Sequence, residues 1–176
     1  MTCIVGLIEG DSVYIGGDSA GVSGSDLRQR KDTKVFRNGD FLIGFTTSFR
    51  MGQLLRFKFS PPKYFTEKDV YEYMITDFIE SVMECFKNAR YAKIENSVEY
   101  GGNFLVAFKN RLFSIEGDYQ VGENVVPFNA CGCGADYAIG SLYTSTGKPK
   151  ERILKALKTA QEFSAGVREP FIVEEI

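Results

Sequence analysis

This chain of 176 residues contains no histidine. That absence removes much chemistry at once. A Ser-His-Asp or Cys-His catalytic site cannot be built, and neither can a metal site with imidazole ligands. Basic residues are not in excess: 21 Lys and Arg stand against 23 Asp and Glu, a formal net charge of −2. A nucleic-acid partner is therefore disfavoured, because such binders carry a basic footprint. No apolar run approaches the length of a membrane span. The opening MTCIVGLIEGD lacks a basic start and meets acid at Glu9, so it does not read as a secretory signal. Cysteine is sparse: Cys3, Cys85, Cys131 and Cys133. Their spacing is no disulfide framework, which points to reduced thiols and a cytoplasmic setting. Cys131-Gly-Cys133, without histidine or a second close cysteine pair, is too thin a ligand set for a metal. It reads as two small thiol residues at a strand end.

What is present suffices for one core. At 44% hydrophobic and 14% aromatic, residues 1–176 read as a single globular domain. Residues 2–9 (TCIVGLIE) and 12–17 (SVYIGG) are β-branched runs across a Gly10-Asp11 turn, a hairpin. Residues 34–37 and 40–46 form another across Asn38-Gly39, and 102–108 with 111–116 a third across Lys109-Asn110. One or two short strands are expected within 119–129, and a last one over 170–174. Residues 19–33 are polar, with room for a short strand, and 91–100 read as a connector.

Elsewhere the apolar period is helical. Residues 48–58 suggest a helix, and Ser60-Pro61-Pro62 interrupts it. Over 67–90, Val70, Met74, Phe78, Val82 and Phe86 recur at steps of four, with Thr66 as the expected N-cap. Such a stripe is core packing first. The stretches 48–58 and 70–86 also offer apolar surface to neighbouring subunits. Residues 135–145 and 150–163 give two further helices. The order is strands, two helices, strands, two helices, strand. An α+β, four-layer αββα sandwich satisfies it: two antiparallel sheets face to face, with helices outside.

With imidazole excluded, the base must come from elsewhere. Thr2 follows the initiator Met1, and a small second residue invites methionine aminopeptidase. Trimming gives Thr2 a free α-amine beside its own hydroxyl. An α-amine titrates at about 8, so part of it is unprotonated near neutrality. One residue then supplies both nucleophile and general base. Cys3 is the competing nucleophile and would need removal of both Met1 and Thr2.

Thr2, the Gly-Gly-Asp at 16–18 and Lys34 within Thr33-Lys34-Val35 resemble the proteasome β-type N-terminal nucleophile hydrolases, most closely their bacterial HslV branch. In that family an Asp follows the nucleophile by sixteen residues and a Lys by thirty-two, as Asp18 and Lys34 do here. Residues 15–22 (IGGDSAGV), 43–45 (IGF), 130–138 (ACGCGADYA) and 172–176 (IVEEI) echo HslV segments. The likeness is strongest over 2–50 and 128–176 and weak over 60–125. The Asp interval runs from Thr2, which favours Thr2 over Cys3.

The resemblance implies a threonine peptidase subunit acting on polypeptides without a cofactor or metal. Lys34 would favour the Thr2 alkoxide, and Asp18 would hold Lys34 charged and oriented. The oxyanion donor would be the backbone N–H of Thr47, where the family has glycine. Cys133 stands where the family has serine. Glu162 aligns with a family aspartate near the end of the last helix. The family works as stacked homo-oligomeric rings fed by a separate ATPase unfoldase, with Pro170–Ile176 the docking candidate. Two other readings stay open: a catalytically impaired scaffold subunit, and an N-terminal nucleophile amidohydrolase acting on a small amide.

Overall fold

In the computed structural model, which describes residues 1–176, the chain runs through thirteen strands. The first six are β1 (Cys3–Glu9), β2 (Ser12–Gly17), β3 (Ala20–Ser23), β4 (Asp26–Gln29), β5 (Val35–Asn38) and β6 (Phe41–Phe45). Helix α1 (Phe49–Phe57) follows. Next comes one long helical stretch made of α2 (Val70–Tyr73), a π-helical turn (Met74–Phe78) and α3 (Ile79–Asn88). Strands β7 (Lys93–Glu95), β8 (Val98–Tyr100), β9 (Phe104–Phe108), β10 (Arg111–Ile115), β11 (Val121–Gly122) and β12 (Phe128–Gly132) come next. Helices α4 (Ala135–Thr144) and α5 (Pro149–Phe163) precede the last strand, β13 (Ile172–Glu175).

Two antiparallel sheets form the centre, ordered β12-β1-β2-β13 and β11-β10-β9-β6-β5. Alternation along the strands decides what each face meets. On β1, Cys3, Val5 and Leu7 pack outward against Ala138 and Leu142 of α4 and Leu157 of α5. Ile4 points the other way, into a cluster with Ile15, Val35, Leu42 and Leu105 between the sheets. On β6 and β9 the aromatic face (Phe41, Phe45, Phe104, Phe108) meets Met74, Phe78 and Phe86 on the other side of the molecule. The layers are helix, sheet, sheet, helix, the αββα sandwich that the order of elements implied.

The sheets approach closely at Gly44. A Cβ there would stand 2.6 Å from Cγ2 of Ile4 and 2.7 Å from Cγ2 of Ile15, both β-branched and hard to move.

Three details differ from the sequence reading. The long helix is capped by Asp69, whose carboxylate accepts from the N–H groups of Tyr71 and Glu72, and not by Thr66. A carboxylate at the helix start also meets the positive end of the helix dipole. The polar segments 19–33 and 91–100 each form a two-stranded ribbon, β3–β4 and β7–β8. Most of the apolar stripe offered as inter-subunit surface within 70–86 is spent inside: Met74, Phe78, Val82 and Phe86 are all fully buried, and Tyr71 and Ile75 are the exposed ones.

The end of the chain is also held. Beyond the β13–β2 pairing, the N–H and C=O of Ile176 both bond to Val13, each at 2.9 Å. Pro170–Ile176 therefore carries the edge strand of a sheet, in line with the strand expected over 170–174. No helix is long and apolar enough to cross a membrane.

Gly44→Val should lower stability by about 1–3 kcal/mol through overpacking between the sheets. Urea unfolding checks this. An unchanged midpoint would mean that the sheets have slack at this point.

Candidate active site

Thr2 immediately precedes β1, Asp18 follows β2 and Lys34 precedes β5. The antiparallel register sets Ile4 opposite Gly17, which brings the start of β1 beside the end of β2. All three residues thus collect at one end of the sandwich, and all three are buried.

Lys34 lies at the centre of the cluster. Its Nζ donates to Thr2 Oγ1 at 2.8 Å and to Asp18 Oδ1 at 2.9 Å. Asp18 is held by the backbone on both oxygens. Oδ1 also accepts from Cys3 N–H at 3.0 Å, and Oδ2 accepts from Ala20 N–H at 2.8 Å and Arg168 N–H at 3.4 Å. The side chains of Lys34 and Asp18 are 1% and 0% exposed. Such burial is tolerable because two of the three ammonium protons and both carboxylate oxygens find partners. Burial pushes the Lys34 ammonium below the ordinary lysine range, while the adjacent Asp18 carboxylate pulls it back up.

Thr2 is tied at both its polar ends. Its hydroxyl accepts from Lys34 and donates to the Met1 carbonyl in a short contact. Its N–H donates to Cys133 Sγ at 3.2 Å, and the Cys133 thiol returns a bond to Thr2 O at 3.4 Å. The hydroxyl of Ser164 donates to the same sulfur at 3.2 Å. Gly134 N–H completes the set, donating to Thr2 O at 3.3 Å.

Glu162 is not in this cluster. It is exposed on the last turn of α5 and makes no hydrogen bond there. The helix ends after Phe163, and Ser164, in extended backbone, turns inward to reach Cys133. Ser164 is the residue that sequence reasoning missed. Its signal was positional: a small polar residue directly after the last helical residue, before Ala165-Gly166.

Thr47 follows β6 with φ 57°, a left-handed conformation. For a β-branched residue this costs on the order of 1–3 kcal/mol. Its N–H donates to no acceptor within the chain. Its side chain turns to the 101–103 loop, where Oγ1 accepts from Asn103 N–H at 3.1 Å.

The other thiols stand apart from this chemistry. Cys3 faces the helical layer, fully buried, and burial foremost raises its thiol far above the usual range. That is the setting of an inert thiol, not a nucleophile. Cys131 is buried between the sheets, away from the Cys133 bonds. All four cysteines are free.

An open cleft of about 600 Å³ lies along β3 and β4, lined by Gly21, Val22, Arg28 and Arg30 together with Phe49. The Phe49 ring centroid is 5.7 Å from Lys34 Nζ, so one residue of the cleft lining also borders the cluster.

No protein-family model matches the chain, and no curated protein matches it in sequence. Solved structures do match its fold. BPH from Thiobacillus denitrificans, solved in complex with epoxomicin, superposes with a TM-score of 0.81 at 19% identity, over 99% of this chain and 97% of that one. Eukaryotic HslV from Trypanosoma brucei gives 0.68 at 20% identity, over 98% of each. Anbu, an ancestral beta-subunit from Yersinia bercovieri, gives 0.67 at 16% identity, over 99% of this chain and 81% of that one. The chain has the N-terminal nucleophile hydrolase fold of these HslV-like and proteasome-like proteins.

Lys34 should titrate below the exposed lysines of the chain, since burial favours its neutral form. Carbon-13 NMR of the lysine ε positions across alkaline pH measures this. A Lys34 titrating with or above the others would mean that Asp18 outweighs burial.

Proposed function

We infer that this chain is a threonine-type endopeptidase subunit of a proteasome-like ring, working from Thr2 once Met1 has been removed. The observation that carries this reading is the contact of Lys34 Nζ with Thr2 Oγ1 at 2.8 Å, with Asp18 behind it. A buried cation on a threonine hydroxyl lowers the cost of forming the alkoxide.

The steps balance with the groups present. The free Thr2 amine takes the proton of its own hydroxyl, and Oγ1 attacks the scissile carbonyl. The tetrahedral oxyanion is met by the Thr47 N–H. The amine then gives its proton to the leaving nitrogen, and the C–N bond breaks to leave an ester on Thr2. Water, deprotonated by the same amine, hydrolyses that ester. Cys133 and Ser164 hold the Thr2 nitrogen in place, and the β3–β4 cleft takes the polypeptide. Neither metal nor cofactor takes part.

Assembly belongs to the same reading. Phe57, Tyr143 and Phe163 are 78%, 76% and 64% exposed, which supports contact with neighbouring copies. The assembly is a cytoplasmic homo-oligomeric ring, with an ATPase unfoldase as the partner that feeds it. A second reading, an impaired scaffold subunit, has one observation in its favour. With Met1 in place the Thr2 nitrogen is an amide, a donor only, and the hydroxyl is engaged by the Met1 carbonyl.

Intact mass of the protein made in cells should show loss of one methionine. Thr2→Ala in that protein should abolish peptide hydrolysis and leave the circular dichroism spectrum unchanged. Full activity in Thr2→Ala would move the nucleophile elsewhere.

A further inference from the structure

The strained turn at Thr47 is supported by a closed ring of hydrogen bonds. Asn103 N–H donates to Thr47 Oγ1 at 3.1 Å. The hydroxyls of Thr47 and Thr46 are 3.2 Å apart, and Thr46 Oγ1 donates to the Asn103 carbonyl at 2.8 Å. Those contacts fix the direction of the middle bond. Thr46 has given its only proton to Asn103, so Thr47 is the donor to Thr46. All three bonds then point the same way around the ring, and each polarises the next. Thr46 N–H adds a backbone bond to the same Asn103 carbonyl at 3.0 Å.

Packing shows that the neighbouring loop accommodates this threonine. A Cβ on Gly102 would lie 2.9 Å from both Cβ and Oγ1 of Thr47, and 2.8 Å from Met51 Sδ. The φ of Gly102 is not in the left-handed region, so space, and not backbone freedom, demands glycine there. The loop is anchored from behind. Asn103 Nδ2 donates to Glu116 Oε2 at 2.5 Å, and Gly101 N–H donates to Gly117 O at 2.9 Å. The Thr47 side chain thus packs on the 101–103 loop, while its N–H is left unspent.

We propose that the Thr46–Thr47–Asn103 ring is a positioning device for catalysis: it fixes the aim of the Thr47 N–H on the oxyanion. The proposal rests on the peptidase reading above. A glycine at 47 would adopt this turn without strain, but the turn would keep only its backbone bonds, from Ser48 N–H to Thr46 O and from Thr46 N–H to Asn103 O, and would lose the side-chain lock. The Thr47 hydroxyl supplies that lock, and Asn103 acts through it.

The test uses the full chain beginning at Thr2 and a fluorogenic peptide. Thr47→Gly, which relieves strain but removes the hydroxyl, should lower kcat about ten- to hundredfold, short of the loss of a whole oxyanion donor. KM should change little, because the donor acts on the transition state. Thr47→Ser, which restores the hydroxyl, should recover most of that loss. Amide hydrogen exchange at Asn103 gives a readout that needs no turnover: slow in the parent and Thr47→Ser, fast in Thr47→Gly. An unchanged kcat in Thr47→Gly, or equal Asn103 exchange in all three, overturns the proposal. A parent that hydrolyses no peptide while Asn103 stays protected overturns the peptidase reading, and this role with it.

Discussion

The buried pair of Lys34 and Asp18 is the constraint on which this end of the molecule depends. An ammonium and a carboxylate are both withdrawn from water, 2.9 Å apart. Their attraction alone rarely compensates for desolvation; satisfied hydrogen bonds must make up the rest. Here they come from the start of β1 (Cys3), the segment after β2 (Ala20) and the segment after α5 (Arg168). Three parts of the chain distant in sequence must therefore be in place before the pair is stable. Removing one member of such a pair costs about 3–5 kcal/mol. A Lys34→Ala variant thus confounds catalysis with folding, whereas the Thr2 hydroxyl can be deleted while Lys34 keeps its Asp18 partner.

The surrounding site shows which groups are committed and which are free. Asp18 is saturated and Lys34 has its two partners. Thr47 N–H alone is held in a strained conformation with no acceptor in the chain. Strain of this kind persists only where the surroundings over-determine it, and the bonds to Thr46 and Asn103 do so. A saturated charge pair beside the Thr2 hydroxyl and an unspent N–H at Thr47 are the two features on which the proposed mechanism draws.

Much of this was legible in the sequence, for physical reasons. β1, β2, β6 and β9 are covered by a sheet on one face and helices on the other, so their apolar runs, bounded by turn residues, announced them. The grouping of Thr2, Asp18 and Lys34 was readable through the likeness of their intervals to a known family's; the hairpins by themselves place each residue only at the border of a strand. The ribbons β3–β4 and β7–β8 were faint because their residues are largely exposed, and without a buried face no pattern is imposed. Glu162 was misplaced for another reason. The end of the helix at Phe163 was legible, but the likeness that pointed to Glu162 could not tell that this side chain lies on the exposed face of the last turn. Ser164, just past the helix, is the one that turns inward. Thr47 looked from sequence like a glycine position filled by a larger residue. Only the packing of Gly102 against it shows where the side chain goes.

The central claim is that this geometry becomes catalytic when the Thr2 nitrogen is a free amine. The direct measurement compares peptide hydrolysis by two preparations of the same chain. One is released from a fusion with Thr2 as its first residue, and the other retains Met1. Turnover by the first and none by the second is the predicted result. Equal turnover by both would contradict the account, because the Thr2 nitrogen of the second is an amide and cannot serve as a base.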